Sequence, residues 1–225
     1  SARGDGIHVR EQEWEAAQTV LLWCDGSASM EFSGAAGRPN KRQRAALLLL
    51  ATACLMLRGG ERVGLLGGGP AGLGRPTLHR LAEELTHQND RGNCPPLLPL
   101  PRYSRAVLFG DFLADPSETG RALSHFTGLG IKGVLVQCLD PDEINPPYRG
   151  RVRFRDPETE TDLLVARSED LLPAYQQRLA AHRDQLHQIT RQAGWQILHH
   201  PCNAAPAPAL LALYHRLSSL GGTAC

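Results

Sequence analysis

Apolar residues in this chain fall into short blocks, and the spacing inside each block predicts its element. Residues 19–24 (T-V-L-L-W-C) run apolar without a break and end at Asp25, the pattern of a strand buried on both faces. Residues 41–58 form a strong helix pattern, apolar around most of its circumference from Ala45 onward, and Gly59-Gly60 close it. Shorter strands are expected at 62–66, 105–109, 132–139 and 195–199, and a loosely alternating edge strand at 7–15. Helices are expected at 77–87, from Asp115-Pro116 to about 128, at 168–193 with an irregularity at Pro173, and at 208–220. Residues 151–155 and 162–165 flank D-P-E-T-E-T and read as an exposed hairpin. Strands alternating with helices predict an α/β fold: a doubly wound, mostly parallel, Rossmann-like sheet flanked by helices, with a small hairpin insertion over 149–166.

Composition narrows the function classes. With 225 residues, 42% of them hydrophobic, the chain is expected to form a single domain over 1–225. The net charge of +1 gives no general attraction to nucleic acid or to an anionic membrane. Six scattered cysteines without a C-x-x-C pair fit reduced thiols in a cytoplasmic protein. The longest apolar stretch, 45–57, is too short to insert into a bilayer. The chain opens S-A-R-G-D-G, with no initiator methionine and no signal core. It therefore reads as a C-terminal piece of a longer protein, and a membrane anchor upstream stays open.

Two glycine- or serine-rich turns invite chemistry. The first, G-G-G-P-A-G from Gly67 to Gly72, spells the G-x-G-x-x-G of a dinucleotide site and keeps a flavin- or nicotinamide-dependent oxidoreductase in play. Such a site needs a helix that opens directly on the turn and an acid ending the next strand. Gly74-Arg75-Pro76 is expected to interrupt any such helix, and the proline-rich 94–99 replaces the strand. The second turn, Asp25-Gly26-Ser27-Ala28-Ser29, directly follows the first buried strand. One carboxylate and two hydroxyls on one loop are hard oxygen ligands suited to Mg²⁺ or Mn²⁺. Asp111 ends another apolar strand in the same manner. In an open parallel sheet such strand ends converge where ligands bind.

At these residues the chain resembles the metal-ion-dependent adhesion site of von Willebrand factor type A (vWA) domains. More broadly it is similar to the DUF fifty-eight family, a vWA-like branch of unknown function. The similarity runs through S-A-R-G-D-G-I-H-V-R-E-Q-E-W-E-A-A-Q-T-V, G-G-E-R-V-G-L-L, A-V-L-F-G-D-F-L, V-Q-C-L-D-P and L-A-A-H-R-D-Q-L. It implies a vWA-like sheet with Mg²⁺ or a similar ion on Asp25, Ser27, Ser29 and Asp111, whose free position accepts a partner's carboxylate. It also implies an adaptor, not an enzyme, working beside a MoxR-type AAA+ ATPase in the assembly or maturation of other proteins. The threonine that the family pattern places on the intervening loop has no counterpart in 90–101, so the implied site is weakened or degenerate.

Other motifs fare less well. His199-His200-Pro201-Cys202 suggests zinc, but adjacent strand residues point in opposite directions and no second cluster is spaced to help. D-G-S-A-S lacks the last glycine of a nucleophile elbow. An aspartyl-phosphate phosphatase would need a second carboxylate where a serine stands. Arg42 and Arg44 are expected to face solvent or a partner. A further reading is a scaffold whose ion site has decayed and whose hairpin around 156–162 carries binding.

Overall fold

The computed structural model describes residues 17–87, 92–155 and 161–220; the strand expected at 7–15 lies outside them. Five strands form the main sheet: β1 (Thr19–Cys24), β2 (Arg62–Leu65), β3 (Arg105–Gly110), β4 (Lys132–Leu139) and β7 (Gln196–Pro201). Their order is β2-β1-β3-β4-β7, and every pairing is parallel. β1 therefore has β2 on one side and β3 on the other. The chain changes direction of winding between β1 and β3, which opens a crevice at their carboxyl ends.

Strand side chains alternate between two cores. Val20, Leu22, Val107, Phe109, Val134 and Val136 face one, with Leu48, Leu49 and Ala53 of α1 (Lys41–Arg58) and Leu213 of α6 (Pro206–Ser219). Leu21, Trp23, Ala106, Leu108 and Leu135 face the other, with Leu123 and Phe126 of α3 (Pro116–Gly128) and Leu186 of α5 (Leu172–Gln192). Each fully covered Leu or Val contributes roughly 1.5–3 kcal/mol of burial. This two-sided cover explains why β1, β3 and most of β4 read as continuous apolar runs.

α1 starts with a reciprocal cap. Asn40 accepts from the Gln43 amide at 2.8 Å while Gln43 Oε1 accepts from the Asn40 amide at 3.1 Å. Its buried stripe is Lys41, Ala45, Leu48, Leu49, Thr52, Ala53 and Met56, and Leu47 is left 50% exposed. Coverage is thus narrower than the all-round apolar pattern suggested, because α1 is an outer-layer helix with sheet on one side only.

Two helix boundaries depart from expectation. α2 (Gly74–Thr86) begins on the glycine turn itself, three residues earlier than predicted. Pro76 is its third residue, where the amide has no intrahelical partner to lose, so proline does not interrupt it. Pro173 likewise lies in the first turn of α5, after a separate 3₁₀ turn at Ser168–Asp170, where proline costs the helix no hydrogen bond.

The insertion is a two-stranded antiparallel hairpin of β5 (Val152–Arg155) and β6 (Asp162–Val165), as the pattern predicted. Before it comes α4 (Pro141–Ile144), a four-residue helix with a full capping box between Asp140 and Glu143. Nothing in the apolar pattern marked it, since none of its residues is buried.

Candidate metal centre

Asp25 and Asp111 follow β1 and β3 directly and meet at the crevice between them. The Asp25 amide donates to the Phe109 carbonyl at 2.8 Å, extending the β1–β3 ladder by one step. Gly110 makes the approach feasible: a Cβ there would lie 3.1 Å from Asp25 Cβ and 3.2 Å from its Oδ2.

The predicted residues form one continuous chain of oxygens. Asp25 Oδ1 accepts from the Ser27 amide at 2.8 Å and from Ser27 Oγ at 2.6 Å. Ser27 Oγ lies 3.0 Å from Ser29 Oγ, which donates to Asp111 Oδ2 at 2.8 Å. Two hydroxyl protons serve these three contacts. If each goes to a carboxylate, the two serine oxygens face one another lone pair to lone pair. Asp25 Oδ2 is also buried without a hydrogen-bond partner among the described residues. A cation resolves both deficits, so these hard oxygens fit Mg²⁺ or Mn²⁺. Burial raises the Asp25 carboxyl to about 6; the Ser27 hydrogen bond opposes the shift and neighbouring Asp111 adds to it.

The donor set is short of acids. Among the described residues, no group of three or more His, Cys, Asp or Glu side chains is gathered to hold a metal. The loop that lacks the family's threonine runs past the site, with the Gly26 amide donating to the Gly92 carbonyl at 3.3 Å. Cys94 on that loop is half-buried, and burial raises its thiol, with smaller pushes from Glu118 and Asp25. A thiol held in its protonated form is a poor substitute for a hydroxyl ligand.

Lys41 is the residue that sequence reasoning missed. Its side chain is fully buried, and Nζ donates to Asp111 Oδ2 at 2.8 Å and to Glu143 Oε1 at 2.6 Å. Burial alone would depress its ammonium, but Asp111 and Glu143 outweigh that and hold it above the ordinary value. Glu143 is raised by burial, against the pull of Lys41. Asp111 therefore already has an ammonium partner inside the protein, shared with Glu143, before any ion arrives. A lysine opening a helix pattern looks solvent-facing in sequence, and its partners lie 70 and 102 residues away.

Backbone devices hold Asp111 in place. Phe112, the next residue, has φ +49°, a left-handed conformation that is strained for a bulky side chain. It is buried against Trp23, with ring centroids 6.3 Å apart, and its carbonyl accepts from His182 Nε2 at 2.6 Å. Gln137 Nε2 donates to the Asp111 carbonyl at 2.9 Å. That fixes Gln137 Oε1 as the acceptor from His199 Nδ1 at 2.8 Å, which leaves His199 Nε2 to accept from His187 Nε2 at 2.9 Å.

His199 and His200 do point apart, His199 outward and His200 inward. His187 nevertheless reaches His199 from α5, a pairing that sequence spacing did not reveal. Arg42 engages the protein: Nη2 donates to the Gly26 carbonyl at 2.7 Å, and Nε lies 2.7 Å from Glu31. The glycine turn follows β2 and returns to pair Gly72 with Val63. Its Gly68 and Gly72 amides donate to Leu65 and Val63 carbonyls at 3.1 and 3.0 Å, and the Gly69 amide to Glu84 Oε1 at 3.4 Å. The interrupted helix expected after the turn is thus corrected, yet these three donors are engaged within the chain and are not turned toward a phosphate.

Comparison with solved structures supports the architecture. An aerotolerance-related membrane protein from Bacteroides fragilis superposes with a TM-score of 0.55 at 14% identity, covering 90% of this chain and 100% of the other. A conserved hypothetical protein, BatB, from Bacteroides thetaiotaomicron gives 0.54 at 12% identity, covering 92% and 100%. At such identities the likeness concerns the vWA-like fold alone. No curated protein matches. The family model described as "Protein of unknown function DUF58" matches residues 1–185. With most of its length matched and its strand-end acids set in a vWA-like sheet, the chain belongs to the DUF58 family.

Proposed function

We propose that this chain is a non-enzymatic, protein-binding vWA-like domain that presents Mg²⁺ or Mn²⁺ on Asp25, Ser27, Ser29 and Asp111 to a carboxylate of a partner. The observation that carries the reading is the proton deficit along the Asp25–Ser27–Ser29–Asp111 chain, at the crevice where the sheet reverses its winding. When bound, the ion supplies an open coordination position for an acidic side chain. The residues of this chain orient the ligand oxygens and, through Lys41, limit the negative charge. With one threonine ligand fewer and an internal ammonium on Asp111, the ion is held weakly.

The resemblance to the DUF58 family, whose members often accompany MoxR-type AAA+ ATPases, is what supports an adaptor role in assembling or maturing other proteins. Calorimetric titration of Mg²⁺ and Mn²⁺ into the full chain tests the ion. Heat of binding that disappears in Asp25→Asn is the expected result, and absence of any heat with the unsubstituted chain refutes it. Capture of a MoxR-type ATPase with the unsubstituted chain, lost in Asp25→Asn or with EDTA, tests the partner; capture unchanged by both assigns it to another face.

A further inference from the structure

A cavity of about 610 Å³ opens between the hairpin, α4 and the start of α5. Phe32, Tyr148, Phe154, Leu163, Leu172 and Tyr175 give it apolar and aromatic walls. The hairpin register puts Val152, Phe154, Leu163 and Val165 on one face, so its apolar side overhangs this cavity. Leu163 nevertheless stays 61% exposed. A two-stranded hairpin is marginal by itself, and here the face that should hold it down is left half covered. One polar group points to a ligand: Ser168 lines the cavity, is more than nine-tenths buried, and its Oγ has no hydrogen-bond partner among the described residues.

The cavity shares a wall with the ion site. Phe32 directly follows the 3₁₀ turn that carries Ser29, and Lys41 Nζ lies 5.9 Å from its ring centroid. Glu143, at the cavity rim, pairs with the same Lys41 that pairs with Asp111. An extended segment advances about 3.3 Å per residue. Asp111 Oδ2 and Oε1 of the rim residue Glu143 both lie within 2.8 Å of Lys41 Nζ, so two or three extended residues are enough to span from the ion site to the cavity rim.

We propose that this cavity receives bulky aliphatic or aromatic side chains of the same partner segment whose acidic residue meets the ion. The ligand is thus a short extended peptide stretch of another protein, acidic at one position and apolar two or three residues on, with a polar group meeting Ser168 Oγ. This identification of the partner rests on the ion-site reading above, whereas the apolar pocket is testable without it.

The experiment uses the full chain and fluorescein-labelled heptapeptides carrying one Asp and, two or three residues away, Trp, Leu or Ala. Binding is read by fluorescence polarisation with Mg²⁺ and with EDTA. Trp and Leu peptides are expected to bind about tenfold more tightly than the Ala peptide. That preference is expected to vanish in Leu163→Ser and to shrink in Ser168→Ala, with melting temperatures confirming that both variants fold. If the preference survives EDTA and Asp25→Asn, the pocket stands and the ion reading fails. If Mg²⁺ binds but Trp, Leu and Ala peptides are indistinguishable, the pocket proposal is overturned. It is equally overturned if sedimentation shows a dimer that dissociates in Leu163→Ser, since the occupant is then a second copy of this chain.

Discussion

Replacing Lys41 by Met tests the internal-cation argument most directly. The unbranched thioether keeps most of the packing volume and deletes only the charge. Nζ is fully buried, 2.8 Å from Asp111 and 2.6 Å from Glu143. Its loss leaves those carboxylates, with Asp25 beside them, facing one another without a counter-charge. Breaking a buried ion pair from one side costs about 3–5 kcal/mol. Glu143 limits the loss, because burial already raises its carboxyl and removal of Lys41 raises it further toward the neutral form. For a chain of this size each kcal/mol shifts the melting temperature by about 2–4 °C, so a fall of roughly 6–20 °C is expected without divalent ions. Magnesium should then recover more of the loss than it adds to the unsubstituted protein, because Asp111 is freed for the ion. Differential scanning calorimetry with EDTA and with saturating Mg²⁺ measures both effects. A Lys41→Met protein that melts within about 2 °C of its parent, with an unchanged magnesium response, would refute the account. Adding Glu143→Gln to Lys41→Met should restore part of the stability.

Three further outcomes follow from the same geometry. Gly110→Ala places a methyl 3.1 Å from Asp25 Cβ; it should weaken calorimetric Mg²⁺ binding severalfold while the far-ultraviolet circular dichroism stays unchanged. His199 is lowered to about 4, chiefly by burial and then by Arg183, His187 and Arg216. Between about pH 6.5 and 4 the unfolded chain therefore binds the extra proton, and stability contributed by neutral His199 is lost as pH falls through that window. Urea unfolding at pH 7 and pH 4.5 should show the loss, and His199→Gln should flatten it. His182→Ala removes the donor to the strained Phe112 carbonyl; amide exchange at 111–113 should accelerate, and an unchanged rate would show that the strain is held elsewhere.

The sheet and its two layers were legible because β1, β3 and most of β4 are apolar on both faces. The carboxylate–serine loop was legible because its chemistry is local: Asp25, Ser27 and Ser29 lie within five residues, and Asp111 announces itself by ending an apolar strand. Lys41 was not, because its meaning depends on Asp111 and Glu143, and side-chain reach across a fold leaves no mark on spacing. The same applies to His187 meeting His199. Phe112 escaped notice because the sequence holds no glycine or asparagine to advertise a left-handed residue there. α2 starts earlier than Pro76 suggests, because proline breaks a helix only beyond its first turn.

The glycine turn after β2 has a consequence for assembly. Its return stroke pairs Gly72 with Val63 through two amide–carbonyl bonds of 2.9 and 3.0 Å. The outer backbone groups of Val63 are thereby used within the molecule. A flexible spelling that elsewhere cradles phosphate here guards the flank of a parallel sheet against strand addition by another chain. Substituting Gly64, where a Cβ would lie 3.1 Å from Ala71 Cα, should lift that return and make self-association, not loss of folding, the first symptom.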